Sequence, residues 1–185
     1  MTHAEAVRFL AAAGPFNGTW ADVGAGSGTF ARTLAELLGP TGAVTAIDRD
    51  ERALARLRAH GTRASNAGAP ITAVPGDMHD LSSLIARGVN STIDGFLFAN
   101  VLHFTRKPDA VLAQAASLLK PDGRVVVIEY ERRMPNPWVP HPLPLARLAG
   151  IAARAGLTAP REVARRASAY HREMYCAVMT ARTGP

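Results

Sequence analysis

Five short, almost wholly apolar runs recur along this chain, each followed by a segment with helical spacing, and that alternation restricts the fold more than any other feature. "TWADV" (19–23) reads as a first strand and "TFARTLAELLG" (29–39) as a helix, with Phe30, Leu34, Leu37 and Leu38 on one face and Gly39 as its stop. "AVTAI" (43–47) is a second strand, followed by Asp50 as N-cap and the helix "ERALARLRAHG" ending at Gly61. "ITAV" is a third strand, with "DLSSLIARG" as a short helix after it. "IDGFLFA" is a fourth; "PDAVLAQAASLLKPDG" (108–123) then reads as a helix with Pro108 in its first turn and Pro121 and Gly123 as its stop. "RVVVIEY" (124–130) is a fifth strand.

Strands this uniformly apolar are buried on both faces, and strict alternation with helices implies a parallel sheet covered on either side. The end of the chain departs from that rhythm. After one more helix, "PLARLAGIAARAGL", the segments "REVARR" and "REMYCAVMTAR" are separated by only about five residues, too few for a parallel crossover, so they form an antiparallel hairpin. The expected fold is a Rossmann-like, doubly wound α/β sheet of seven strands, mostly parallel, with a C-terminal antiparallel hairpin. Ligands of such sheets bind beyond the carboxyl ends of the strands.

No repeat, low-complexity tract or Gly/Ser-rich linker divides the chain, so residues 1–185 read as one domain. Glu5 and Arg8 interrupt the N-terminal apolar stretch, which therefore lacks the core of a signal peptide, and no window resembles a membrane span; the expectation is a cytoplasmic protein without a membrane partner. Cys176, the single cysteine, excludes an internal disulfide and lies in an apolar run where a buried inert thiol is expected. The formal charge of +6 is unevenly placed: residues 1–130 hold 12 Lys and Arg against 12 Asp and Glu, and residues 131–185 hold 9 against 3. Such an excess attracts nucleic acid when aromatics are interleaved with it. Here Tyr170 and Tyr175 alone accompany "REVARRASAYHRE", so that signal is weak.

The informative loop residues follow the five strands. After the first comes "GAGSG", after the second Asp48, after the third "GDMHD", after the fourth Asn100 and His103, and after the fifth Glu129, Tyr130 and Glu131. Gly24, Gly26 and Gly28 are spaced G-x-G-x-G rather than the G-x-G-x-x-G of a dinucleotide site, and any tight strand-to-helix turn uses glycine for positive φ. Asp48, 20 positions beyond Gly28, is placed to accept ribose hydroxyls or to cap the next helix. Together the two features favour a ribose-bearing cofactor over a bare turn.

"ADVGAGSGTF", "AIDRD", "GDMHDL", "FANVLHF" and "LLKPDGRVVVIEY", in this order, resemble the successive motifs of class I S-adenosylmethionine-dependent methyltransferases. The likeness is greatest to the small-molecule branch that includes the ubiquinone and menaquinone C-methyltransferases. It covers about residues 20–130, and the closing hairpin agrees with that family's sheet. The resemblance implies adenosylmethionine as cofactor and adenosylhomocysteine as product. It puts Asp22 near the methionine ammonium, directly or through water, with Gly24, Gly26 and Gly28 making room for the methionine and ribose. It puts Asp48 on the ribose hydroxyls and Arg49 against the adenine, where the family usually has an apolar residue. It puts Asp77 on the adenine amine, the Met78 amide near the ring and the Asn100 backbone at the methionine end. Asp77 after Gly76 also reads as a turn residue.

Methyl transfer is an in-line displacement, so a protein contributes positioning and, for a protonated nucleophile, a base. His103, Glu129, Glu131, Tyr130 and His141 are the candidates; His103 is the first choice because it follows strand four, with a packing role as the alternative. Glu129 alternatively serves as a structural acceptor. No clustered Asp and Asn set suggests a metal. The segment "ERRMPNPWVPHPLP" (131–144) reads either as a stiff connector or as a substrate wall, with Tyr130, Trp138 and His141 as acceptor contacts. About 18 residues precede strand one, little room for an N-terminal helical lid, so the acceptor pocket is open, completed by a second subunit in a homodimer, or shaped for a surface larger than a metabolite. The expected function is methylation of a small molecule. The alternatives are an RNA or protein methyltransferase using the basic C-terminal region, or an adenosylmethionine-binding protein without transferase activity.

Overall fold

The computed structural model describes residues 1–61, 68–88, 93–132, 134–168 and 172–182. Its centre is a seven-stranded sheet in the order β3-β2-β1-β4-β5-β7-β6. The strands are β1 (Thr19–Val23), β2 (Ala43–Asp48), β3 (Ile71–Pro75), β4 (Ile93–Ala99), β5 (Leu119–Tyr130), β6 (Arg161–Ser168) and β7 (Arg172–Thr180). β1 to β5 pair in parallel, and β7 runs antiparallel to both β5 and β6. The order reverses between β1 and β4, so the loops after these two strands splay apart and leave a crevice at their carboxyl ends.

Two hydrophobic clusters lie on the two faces of the sheet. Helices α1 (His3–Ala11), α2 (Thr29–Leu38) and α3 (Glu51–Gly61) cover one face, with Leu10, Leu34, Leu54 and Leu57 buried against Trp20, Leu97 and Val126. Helices α4 (Leu81–Gly88), α5 (Pro108–Ser117) and α6 (Leu145–Arg154) cover the other, with Leu81, Leu112 and Leu148 buried against Phe96, Phe98 and Val127. Alternate residues of each central strand thus serve opposite faces, which explains why these strands carry no polar side.

Two elements differ from expectation. The helix expected over 108–123 ends at Ser117, and Leu119 already pairs with Ile93 as the first residue of β5. The ladder then passes from Ile93 to Gly95 on β4 while β5 advances from Leu119 to Arg124, an irregularity that accommodates Pro121 and Gly123 without ending the strand. The N-terminal segment, read only as short, is helix α1, closed by a capping box in which the Glu5 amide donates to Thr2 Oγ1 at 3.3 Å and the Thr2 amide to Glu5 Oε2 at 2.7 Å. Its Ala6, Phe9 and Leu10 are buried in the core shared with α2.

Among the described residues of the hairpin, Arg165 and Arg166 are engaged internally. Arg165 meets both Glu162 oxygens at 2.7 and 2.8 Å and Glu173 at 3.1 Å, and Arg166 reaches Glu5 at 3.6 Å. Tyr175 is buried and donates its hydroxyl to the Leu143 carbonyl at 2.7 Å; Tyr170 lies outside the described residues. Burial pushes the Cys176 thiol up to about 12, so it is inert. No helix among the described residues is long and apolar enough to cross a membrane.

Candidate functional site

At the carboxyl end of β1 the chain enters a turn in which Gly24, Gly26 and Gly28 all have positive φ, 76°, 55° and 88°. Two of them are fixed by packing as well: a Cβ on Gly24 would meet Val101 at 2.3 Å, and one on Gly28 would meet Leu57 at 2.2 Å. Gly26 faces open space instead. Asp48 ties this turn to its neighbours, because its Oδ2 accepts from the Gly26 amide at 2.7 Å and its Oδ1 from the Asp50 amide at 2.8 Å. Its carbonyl accepts from the Gly76 amide at 3.0 Å, so one residue holds the loops after β1, β2 and β3 in register.

These loops enclose a cleft lined by Gly24, Asp48, Arg49, Gly76, Asp77, Met78, Asn100, Val101 and Phe104. Six residues singled out in the sequence (Gly24, Asp48, Arg49, Asp77, Met78 and Asn100) stand on its wall. Asp77 lines the cleft, and it is also the turn residue expected after Gly76, since its Oδ1 accepts from the His79 amide at 2.9 Å as the cap of a 3₁₀ turn at Met78–Asp80. Asn100 is a non-glycine residue at φ 55°, and its buried Oδ1 has no hydrogen-bond partner. A strained backbone and an orphaned acceptor in one residue on a cleft wall mark a contact reserved for something else.

Asp22, Gly26 and Gly28 are not on that wall. Asp22 is 1% exposed, and neither carboxylate oxygen has a hydrogen-bond partner. Burial and the nearby Asp48 charge push its pKa up to about 7; the Ala31 amide, in the first turn of α2, pulls weakly the other way. Asp22 therefore forms a sensitive charge behind the glycine turn.

A second, larger pocket opens beside the first and shares Asn100 and Phe104 with it. Its cavity volume is about 660 Å³, it opens to solvent, and it is lined also by His103, Tyr130, Arg132, Asn136 and Trp138. At its inner end His103 is 2% exposed and its Nδ1 lies 2.7 Å from Oε2 of Glu129, itself 1% exposed. The His103 amide also donates to Glu129 Oε1 at 3.2 Å, so the carboxylate grips both backbone and ring. A carboxylate only accepts, so this geometry places a proton on Nδ1, and in the neutral ring Nε2 is then the acceptor.

Tyr130 and Trp138 line this pocket, and His141 does not; it instead donates its amide to the His103 carbonyl at 3.0 Å and so secures the loop carrying the imidazole. Glu131 accepts from the Leu145 amide at 3.1 Å at the start of α6. Phe104, Arg132 and Asn136 were not foreseen as lining residues. Phe104 carried a faint signal, an aromatic in a polar loop directly after His103; for the other two only the three-dimensional path of 131–144 reveals it. Among the described residues no three His, Cys, Asp or Glu side chains gather as a metal site.

A crevice at the switch point of a sheet closed by an antiparallel hairpin defines the Rossmann-like methyltransferase fold, and solved structures agree. An arsenic(III) S-adenosylmethionine methyltransferase from Chlamydomonas reinhardtii superposes with TM-score 0.72 at 21% identity over 89% of this chain and 63% of that one. CalO1, a methyltransferase in calicheamicin biosynthesis, in its S-adenosylhomocysteine-bound form, gives TM-score 0.71 at 26% identity over 97% of this chain and 54% of that one. The CcbJ methyltransferase from Streptomyces caelestis gives 0.69 at 20% identity over 97% and 95%. The chain thus spans about half to two thirds of the length of the first two. The methyltransferase-domain family model matches residues 21–125, and the chain belongs to that family. No curated protein matches it.

Proposed function

We propose that this chain, a single domain over residues 1–185, transfers the methyl group of S-adenosylmethionine to a small-molecule acceptor and releases S-adenosylhomocysteine. The observation that carries this reading is the cleft at the switch point, where the ends of β2, β3 and β4 bring Asp48, Asp77 and Asn100 together on one wall. Adenosylmethionine offers matching donors in its ribose diol, its adenine amine and its ammonium. Asp48 would hold the diol, keeping its present amide bonds on its remaining lone pairs. Asp77 and the Met78 amide would fix the adenine, with Arg49 beside it, and Asn100 would meet the methionine end. Gly24, on the cleft wall, puts no side chain into the space that the methionine and ribose would take, and Asp22 behind the turn would favour the net positive cofactor. Bound there, the cofactor supplies an electrophilic methyl group on a sulfonium. The protein's part is to aim it through the shared wall at Asn100 and Phe104 toward the larger pocket, where His103 serves as base for a protonated nucleophile.

The likeness to CalO1, and the chain's place in the methyltransferase-domain family, support the same reading. Calorimetry with adenosylmethionine, adenosylhomocysteine and NAD tests it. The first two bind, NAD does not, and Asp48→Asn weakens adenosylhomocysteine about tenfold or more while circular dichroism stays native. Binding of NAD without adenosylmethionine overturns the reading.

A further inference from the structure

The larger pocket combines an inner end of unusual polarity with a rim of unusual exposure. Phe104 is 50% exposed and Trp138 73% exposed, in a protein whose other large aromatics are mostly buried. Isolated exposed apolar residues need no explanation, but these two line one cavity that is continuous with the cofactor cleft. Trp138 is also deliberately held: Asn136 Oδ1 accepts from the amides of Trp138 at 2.9 Å and Val139 at 2.6 Å, and Asn136 and Val139 pair as a short antiparallel bridge. The turn that carries the indole is therefore ordered by its own hydrogen bonds, with the ring itself left in solvent.

The inner end specifies different chemistry. The His103 and Phe104 rings are neighbours, with centroids 4.3 Å apart and planes at 48°, so a ring lying on Phe104 has its edge beside the imidazole. Nδ1 of that imidazole is taken by Glu129, which leaves Nε2 for the pocket that His103 lines. The ionisable groups around it are Glu129, Tyr130 with its ring 6.0 Å away, and Arg132 on the pocket wall. A base so placed is useful only to an acceptor that must lose a proton. The partner must also be acidic enough: a phenol ionises near 10 and imidazole near 6.5, a gap that a positioned base spans, whereas an aliphatic alcohol is far weaker as an acid.

We propose that the acceptor is a flat aromatic compound bearing a phenolic hydroxyl, bound with its ring between Phe104 and Trp138 and its hydroxyl on His103 Nε2. This rests on the methyl-transfer reading above. In the step, the phenolic oxygen's electron pair forms the new O–CH3 bond as the S–CH3 bond breaks. The sulfonium takes that bonding pair and becomes the neutral thioether of adenosylhomocysteine. The hydroxyl proton passes to His103 Nε2 and then to water, and Glu129 stabilises the imidazolium while it lasts. The products are an aryl methyl ether, adenosylhomocysteine and one proton. Trp138 and Phe104 are positioning residues, and His103 is the group that touches the reacting atom.

The test uses the full chain saturated with adenosylhomocysteine and 4-nitrophenol as probe, because its phenolate is coloured and its binding is visible without turnover. Bound 4-nitrophenol is expected to show the phenolate band at a pH about one unit lower than in free solution, a tenfold shift in its ionisation. The same complex quenches the fluorescence of exposed Trp138, the other tryptophan, Trp20, being 1% exposed in the core. His103→Gln abolishes the ionisation shift and with it the tenfold preference for the ionised ligand, while at pH 5, where 4-nitrophenol is neutral, binding falls by far less; Trp138→Ala weakens binding about tenfold at either pH, and Trp138→Phe restores most of it, by the usual worth of an aromatic contact. Cyclohexanol binds at least tenfold more weakly than phenol. An unshifted titration, equal binding of cyclohexanol and phenol, or a shift that survives His103→Gln overturns the phenol assignment. Failure of adenosylhomocysteine itself to bind overturns the methyl-transfer reading on which it rests.

Discussion

Burying a carboxylate without a partner costs several kcal/mol unless it takes up a proton, yet Asp22 is sealed at 1% exposure with both oxygens unpaired. Its pKa of about 7, against 3.8 for an exposed aspartate, has a consequence for stability whose sign is fixed. The folded chain holds this proton more tightly than the unfolded one, so stability falls as pH rises from 3.8 toward 7 and levels off above it. At about 1.4 kcal/mol per pKa unit, the ligand-free protein loses about 2–3 kcal/mol between pH 5 and pH 8 on this account. Asp22→Asn removes that loss, so urea unfolding should find the variant gaining about 2–3 kcal/mol on the native chain between those two pH values. The same variant should flatten the pH dependence of adenosylmethionine binding near neutrality, because a cationic ligand favours the ionised carboxylate and releases its proton. A variant whose stability tracks the native chain at both pH values removes Asp22 from this role.

At the scale of elements, what the sequence revealed and what it concealed divide along the range of the interactions. β1, β2 and β4 were legible because each is an apolar run broken by only one or two polar residues, and Asp50 was legible as a cap because its partners, the Arg52 and Ala53 amides, are two and three residues away. The Thr2 and Glu5 capping box is equally local, and its S/T-x-x-E spacing marks the start of α1 in the sequence itself. The pairing of His103 with Glu129 spans 26 residues and joins two parallel strand ends, so each residue was visible as a candidate and their union was not. Pro121 and Gly123 misled because they terminate helices by local chemistry, whereas here Leu119 is claimed by Ile93 across the sheet. The C-terminal charge was a weak signal for an anionic partner, and its physical reason is visible here: Glu162 and Glu173 hold Arg165 charged, and Glu131 lies 3.8 Å away. Partly exposed pairs of this kind are worth little singly, so Arg165→Met should lower stability by about 1 kcal/mol at low salt and by less in 0.5 M NaCl. Adenosylhomocysteine affinity should not change, and a large loss of affinity would show that the hairpin network supports the cleft.

Over the whole molecule, the proposed ligand contacts come from one side of the sheet, the carboxyl ends of β1 to β5, while the described residues of the β6–β7 hairpin complete the far edge and line neither pocket. The half with order β3-β2-β1-β4 is therefore held at its open end chiefly by Asp48, whose carboxylate and carbonyl bind the neighbouring loops. A ligand bridging those loops adds links where the sheet itself has none. At one hundred times its Kd, adenosylhomocysteine stabilises the fold by about 2.7 kcal/mol, which at about 2–4 °C per kcal/mol for a chain of this size raises Tm by about 5–11 °C. The gain is local in origin, so native-state hydrogen exchange should slow at 24–28, 48–50, 76–80 and 100–104 and stay unchanged along β6 and β7. Asp48→Asn should shrink both effects together, since it weakens the ligand and the loop ties at once. Protection that spreads evenly through the hairpin, or a thermal shift that survives Asp48→Asn undiminished, would place the ligand elsewhere than the switch-point cleft.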